Sequence, residues 1–170
     1  MKKVFLSFVA ASIAVASFAQ DDAALQPKGS WYLGSANATD IFKIFSNDGM
    51  NVDPFVGYAI ADNIAITLGV NFGSVTIDEP SLTSSSSDIT VGAAYFFGDN
   101  FFGQAGVTMG ATDDGADNTT STTSIGLALG KYIPVRDMWY VSPSLGFNTV
   151  TMDGGSGSGA ALGITFGARL

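Results

Sequence analysis

The residues of this chain that could do chemistry are acidic and hydroxyl side chains, because the sequence contains no His and no Cys. An acyl-transfer site normally needs a base such as His beside its Ser or Cys nucleophile. A pair of carboxylates could still serve acid–base work, but most of the acidic residues fall in polar segments that we expect to be loops and turns. We therefore predict no enzyme activity, no catalytic residue and no bound cofactor.

Two segments resemble ligand-binding loops in part. Asp113, Asp114 and Asp117 bring together carboxylates of the kind that Ca²⁺ prefers. The segment lacks the alternating Asp positions and the distal Glu of a calcium loop, so we predict no metal site, with calcium at this acidic loop as the alternative. The Gly- and Ser-rich residues 154–159 lack the Lys and the strand-to-helix context of a phosphate-binding loop. They are predicted to form a flexible loop, and the serines at 84–87 a solvated one.

The arrangement of apolar residues indicates a sheet that is apolar on one face. Between residues 64 and 73, large apolar residues occupy every second position, with Gly, Ala, Thr and Asn between them. Successive side chains of a strand point to opposite faces, so the two sets lie on opposite sides of the sheet. A soluble sandwich would have more Lys and Glu on its second face. A small-residue interior within an apolar exterior is typical of a transmembrane β-barrel.

Eight strands are predicted, joined by connections of two lengths. The strands cover residues 30–39, 50–61, 64–77, 88–97, 101–111, 121–133, 138–151 and 159–170. Tight turns at 62–63, 98–100 and 134–137 alternate with longer polar segments at 40–49, 78–87, 112–120 and 152–158. The expected fold is all-β: a closed eight-stranded antiparallel transmembrane β-barrel, an up-and-down meander with its short turns and both termini on the periplasmic side. An open sheet edge in hydrocarbon would leave backbone groups unpaired, which is why we expect closure.

Residues 1–19 have the features of a signal peptide. Lys2 and Lys3 precede an apolar run, and small residues up to Ala19 form a cleavage site. The alternative is an N-terminal membrane anchor, for which the apolar run is short. Residues 20–170 are then a single outer-membrane β-barrel domain. Without Lys2 and Lys3 the basic residues fall from 7 to 5 against 15 acidic ones, and the net charge moves from −8 to −10. We therefore expect no nucleic acid partner.

Side chains next to the short turns indicate a membrane interface and a plug. Aromatic residues cluster there, as in the girdles of membrane barrels, with plain aromatic enrichment of strands as the alternative. The predicted girdle consists of Trp31, Tyr58, Tyr95, Phe97, Phe101 and Trp139. At the same end, alternation along the strands places the side chains of Tyr132, Tyr140 and Arg169 on the inside of the barrel. They are predicted to plug the lumen, with a solute gate as the alternative. Asp53 is predicted to point inward near the other end.

Three segments together resemble one known family. They are Pro54-Phe-Val-Gly-Tyr58 followed by Ala61-Asp-Asn-Ile-Ala65, the segment Ser142-Pro-Ser-Leu-Gly146, and Gly163-Ile-Thr-Phe-Gly167. The chain resembles the small outer-membrane β-barrel domain family, which includes OmpX- and OmpW-type proteins. The resemblance implies a closed eight-stranded barrel that is inserted by the outer-membrane assembly machinery, and it implies no catalytic residue. Proteins that use this machinery often end in an aromatic residue, whereas this chain ends in Leu170.

These observations lead to two functional hypotheses. The first is a small integral protein of the outer membrane of a Gram-negative bacterium, with a structural or surface-interaction role. Its expected partners are outer-membrane lipid and the assembly machinery, and the acidic loops are where an extracellular ligand would bind. The alternative is a narrow channel or carrier for small solutes. Eight-stranded barrels have interiors that side chains or one small ligand can fill, which argues against a wide porin.

Overall fold

The computed structural model describes residues 26–36, 50–77, 82–116, 118–152 and 154–170, in which every regular element is a β-strand. The strands are β1 (Trp31–Ser35), β2 (Met50–Val52), β3 (Pro54–Ala61), β4 (Ile64–Ile77), β5 (Leu82–Phe97), β6 (Phe101–Asp113), β7 (Thr119–Lys131), β8 (Ile133–Arg136), β9 (Trp139–Met152) and β10 (Gly155–Arg169). The predicted signal peptide and the predicted loop at 40–49 lie outside the described residues. In these ranges there is no helix with the length and hydrophobicity needed to cross a membrane.

Eight of these strands form a ring. In order around it they are β1, β3, β4, β5, β6, β7, β9 and β10. The ring closes because β10 also pairs with β1, from Tyr32 opposite Arg169 to Ser35 opposite Phe166. The short strand β2 continues β3 along β4, and β8 pairs with β9 beyond the end of β7. The predicted all-β fold, with eight antiparallel strands following one another around a sheet, is confirmed.

Side chains alternate between the two faces of the ring, as the sequence pattern predicted for β4. Ile66 and Leu68 are 48% and 47% exposed on the outer face, whereas Ala65, which precedes Ile66, and its neighbour Ala94 on β5 are buried on the inner face. The same alternation continues along β5, β6 and β7. The outside of the ring is therefore apolar and the inside is built from small, polar and a few aromatic side chains.

The short connections follow the prediction at two places and differ at the third. Turns occur at Asp62-Asn63 and at residues 98–100, where Asn63, Asp99 and Asn100 have positive φ values of 62°, 50° and 65°. Asn and Asp tolerate this conformation better than most residues. The predicted turn at 134–137 is shorter, because Ile133–Arg136 forms β8. Its β-branched Ile and Val favour extended backbone.

The strands are longer than predicted at the opposite end of the ring. The serines at 84–87 lie inside β5, opposite residues 72–75 of β4, and are therefore not a loop. Residues 155–159 belong to β10 and pair with residues 148–152 of β9, so the predicted flexible loop there is wrong as well. Ser and Gly have weak strand propensity, but continued pairing satisfies the backbone N–H and C=O groups of both strands.

Candidate functional site

Aromatic side chains fill the interior of the ring at the short-turn end. The set, called the aromatic layer below, consists of Tyr32, Phe96, Phe102, Tyr132 and Tyr140, and each side chain is at most 8% exposed. Tyr132 and Tyr140 stack with ring centroids 4.6 Å apart, and Phe96 contacts Tyr32 at 6.0 Å and Phe102 at 5.8 Å. Such ring pairs add stabilisation beyond the area that they bury.

Glycines on neighbouring strands make room for two of these rings. A Cβ atom at Gly130 would come within 2.5 Å of the Phe102 ring, and one at Gly167 would come within 2.7 Å of the Tyr140 hydroxyl oxygen. The rings therefore lie directly over the backbone of the adjacent strand. This close approach allows five aromatic side chains to fit inside a ring of eight strands.

A buried glutamine lies against the aromatic layer. The Gln26 side chain is fully buried, and its Oε1 accepts hydrogen bonds from the Tyr32 hydroxyl at 2.6 Å and from Arg169 Nη1 at 3.0 Å. Arg169 also lies over the Tyr132 ring, 5.9 Å from its centroid. The Gln26 Nε2 atom is buried without a hydrogen-bond partner. The donor half of this amide is thus left unsatisfied.

The chain before β1 lies across the first short turn and holds Gln26 in place. Asn63 Oδ1 accepts from the Gln26 backbone N–H at 2.9 Å, and the Asn63 N–H donates to the Gln26 carbonyl at 2.8 Å. The Lys28 N–H donates to Asp62 Oδ1 at 2.8 Å. Residues 26–30 are therefore part of the closed end of the ring.

The structure brings the predicted plug residues Tyr132, Tyr140 and Arg169 together. Sequence analysis missed the other members of the cluster: Tyr32, Phe96, Phe102 and Gln26. Tyr32, Phe96 and Phe102 occupy the inward-facing positions nearest the short-turn end on their strands. The alternation of side chains along a strand could therefore have predicted them. Gln26 precedes the first strand, where no alternation exists to predict its burial.

Beyond the aromatic layer, the interior of the ring contains a cavity of about 540 Å³. Beside the aromatic layer and several small apolar residues, nine hydroxyl and amide side chains line it. They are Thr67, Asn71, Thr90, Gln104, Thr108, Ser142, Ser144, Asn148 and Thr165. The Thr90 and Thr108 hydroxyl oxygens, on adjacent strands, are 2.7 Å apart and share a hydrogen bond. The wall therefore offers both donors and acceptors.

Two carboxylates lie in one row across three neighbouring segments near the far end of the cavity. Asn71 on β4 is paired with Asp88 on β5. Asp53 lies between β2 and β3, and the register of these two strands with β4 places it opposite Asn71, on the side of β4 that faces away from β5. We call Asp53, Asn71 and Asp88 the acidic row. The Ser35 hydroxyl donates to the Asp53 carboxylate, and the Asp88 carboxylate lies over Gly110, where a Cβ atom would overlap it. The inward position of Asp53 was expected, but Asp88 was missed because the predicted strand began there.

The six predicted girdle residues lie on the outer face beside the short turns. Trp31 contacts Tyr58 with ring centroids 4.8 Å apart, and Phe97 contacts Tyr95 at 6.2 Å and Phe101 at 6.3 Å. On β9 and β10, Trp139 stacks on Phe166 with ring centroids 5.3 Å apart. The Lys131 ammonium lies 4.8 Å from the centroid of the Phe101 ring.

The acidic loop between β6 and β7 uses its carboxylates to hold its own backbone. Asp113 Oδ1 accepts from the Gly115 N–H at 2.8 Å, while Asp114 accepts from the Asn118 side-chain amide at 2.9 Å and the Ala116 N–H at 2.7 Å. The hydrogen bonds to Asp114, the one from the Asn118 side chain above all, lower the pKa of its carboxyl. Asp117 lies outside the described residues. Within them, no three His, Cys, Asp or Glu side chains are grouped to hold a metal ion.

Comparisons of the chain with protein-family models, curated proteins and solved structures found no match. The resemblance to the small outer-membrane β-barrel domain family therefore stays a prediction from the sequence.

Proposed function

We propose that the chain is a small integral outer-membrane β-barrel protein of a Gram-negative bacterium, without catalysis, with a structural or surface-interaction role. The most direct support is that apolar side chains lie outside the ring and polar ones inside, the reverse of the arrangement in a water-soluble protein. Val91 and Leu129 are 54% and 60% exposed on the outside, whereas Thr, Ser, Asn, Gln and Asp line the cavity inside. Apolar surface on this scale is unfavourable in water but favourable against lipid.

The height of the apolar band agrees with a bilayer. On β5 it runs from Phe97 to Ile89, and on β9 from Trp139 to Phe147. Both intervals correspond to about 26 Å along a strand, or about 20 Å along the membrane normal at the usual strand tilt, close to the apolar band of about 25 Å in known membrane barrels. The predicted girdle residues would mark the periplasmic edge of the band, with the short turns and both termini beyond it.

The hairpins that continue past the apolar band are suited to contacts outside the membrane. Their outward positions are occupied by hydroxyl side chains, including Ser85, Ser87, Thr123 and Thr149. Because β9 and β10 stay paired as far as Met152 and Gly155, this surface is presented on extended hairpins. A structural or surface-interaction role would use this part of the molecule.

A narrow channel or carrier is the second candidate, and the cavity is the observation that favours it. Small and polar side chains leave about 540 Å³ of the interior unfilled. The aromatic layer and Gln26 lie between this cavity and the short-turn end, which argues against steady flow of solute. The cavity is therefore better suited to holding a small molecule than to conducting one.

Cell fractionation tests the main proposal. The full chain is expressed in a Gram-negative host, and the outer membrane, inner membrane and periplasm are separated. We expect the protein in the outer-membrane fraction, resistant to carbonate extraction, with faster gel migration before boiling than after. Recovery as a soluble periplasmic monomer would contradict the proposal.

A further inference from the structure

We propose that the cavity beyond the aromatic layer is a binding site for a small organic cation. The proposal depends on the interior of the ring and is independent of what covers its outer face. It thus goes beyond the proposed function, and the two can fail separately.

The first support is the size and composition of the cavity. Its volume of about 540 Å³ lies within the range of known small-molecule sites. One end of the cavity is bounded by the aromatic layer, which provides apolar surface for a ligand. The Gln104 amide and the Thr90 and Thr108 hydroxyls on the wall can fix the orientation of a polar group.

The second support is the way in which polar side chains are held back from the centre. A Cβ atom at Gly126 would lie 2.6 Å from Asn148 Oδ1, one at Gly92 would lie 2.8 Å from Thr67 Oγ1, and one at Gly163 would lie 3.0 Å from Ser144 Oγ. These side chains therefore lie flat over glycines of the neighbouring strand. Their polar atoms stay on the wall while the middle of the ring remains unfilled.

The third support is the sign of the charge. Asp53 lines the cavity, and Asp88 lies in the same row, two strand spacings or about 10 Å away. Arg169 lies with Gln26 and Tyr132 at the aromatic layer, and no Lys or Arg is among the residues that line the cavity in the described part of the chain. Carboxylates at the wall of a narrow interior attract cations and repel anions.

The combination of carboxylates with aromatic rings favours an organic cation over a metal ion. A hard metal ion needs several oxygen ligands around one point, and the described residues contain no group of three acidic side chains that could provide them. An ammonium group near the acidic row could instead extend its apolar part towards the aromatic layer.

Three probes of similar shape and different charge test the proposal on the unchanged protein. Phenethylammonium, 2-phenylethanol and phenylacetate are titrated at pH 7 into the protein in detergent micelles, and binding is measured by calorimetry. We expect the cation to bind at least tenfold more tightly than the alcohol, and the anion to bind most weakly. Equal binding of the three probes, or binding of none, would overturn the proposal.

Variants then locate the site. Replacing Asp53 and Asp88 together by Asn should remove the tenfold preference, whereas Asp137→Asn, which removes an exposed carboxylate at a short turn, should keep it. Thr108→Phe fills the cavity and should abolish binding, while Val107→Phe on the outer face should not. A preference that persists in the Asp53/Asp88 variant, or binding that survives Thr108→Phe, would contradict the proposal. If the Asp53/Asp88 variant does not fold, the three probes with the unchanged protein and the comparison of Thr108→Phe with Val107→Phe still test the proposal.

Discussion

Gln26 contributes both stabilising and destabilising interactions to the closed end of the ring. Its Oε1 accepts hydrogen bonds from the Tyr32 hydroxyl and from Arg169, but its Nε2 is buried without an acceptor. An unsatisfied buried donor costs about 1–3 kcal/mol. The unpaired Nε2 donor of Gln26 therefore offsets part of the stability that its oxygen provides.

Replacing Gln26 by Glu should stabilise the protein by about 1 kcal/mol, because no buried donor is left unpaired and the carboxylate accepts charge-assisted hydrogen bonds from the Tyr32 hydroxyl and the Arg169 guanidinium. Denaturant unfolding in micelles, followed by tryptophan fluorescence, measures the change. Gln104→Glu is the matched control, since Gln104 lines the cavity that Asp53 also faces. It should leave stability unchanged or lower it. Equal gains in both variants would contradict this account.

At the scale of the strands, the seam between β1 and β10 depends on a glycine. A Cβ atom at Gly34 would overlap the Phe166 carbonyl oxygen and lie 2.8 Å from Gly167 Cα, so backbone would have to move. A Cβ atom at Gly69 would have its nearest neighbour at 3.7 Å. Two inward glycines thus have very different tolerance for the same added methyl group.

We predict that Gly34→Ala destabilises the protein by about 1–3 kcal/mol, as overpacking does elsewhere. Gly69→Ala should change the free energy of unfolding by less than about 0.5 kcal/mol. Unfolding curves of the two variants in the same detergent provide the comparison. If both variants lose equal stability, the seam is not packed as described.

The two faces of β4 should respond in opposite ways to charge. In lipid, Leu68→Arg should destabilise by about 2–4 kcal/mol, as a cation at the bilayer midplane does in membrane barrels. Thr67→Arg should cost less, because its side chain enters a cavity that Asp53 lines. Unfolding of both variants in liposomes measures the difference. Similar costs would indicate that the outer face of β4 does not contact lipid.

How well the sequence predicted each strand depends on the residues of that strand. Apolar residues alternate strictly between Ile64 and Phe72, which was enough to predict β4 and its two faces. The serines of β5 and the glycines of β10 have no such alternation, so their strand structure depends on pairing with β4 and β9. The same limit applies to the interior: parity predicted Tyr132 and Tyr140, but the burial of Gln26 depends on tertiary contacts alone.

At the scale of the whole molecule, a polar cavity lies next to an aromatic closure, so the protein should conduct ions poorly. In planar bilayers we expect no steady conductance from the unchanged protein. Replacing Tyr132, Tyr140 and Arg169 together by Ala should open part of the aromatic layer and raise conductance, with a cation preference set by the acidic row.

The control for this experiment removes aromatic side chains from the outside of the ring. Trp31, Tyr58 and Phe101 are replaced by Ala, and conductance should stay near zero because the interior is unchanged. If the unchanged protein conducts steadily, and replacing Tyr132, Tyr140 and Arg169 does not alter the conductance, a plug is excluded and the channel function is favoured.

The seam also determines when the ring can close during folding. Trp31 and Leu170 exchange two backbone hydrogen bonds, each of 2.9 Å, and the strands that meet there are the earliest and the latest of the ring in chain order. Until β10 has joined β1, a sheet formed by the other strands has an unpaired edge on both β1 and β9. Such edges can pair with other chains, and contacts this distant in sequence form slowly. The exported chain should therefore depend on chaperones until β10 has paired with β1.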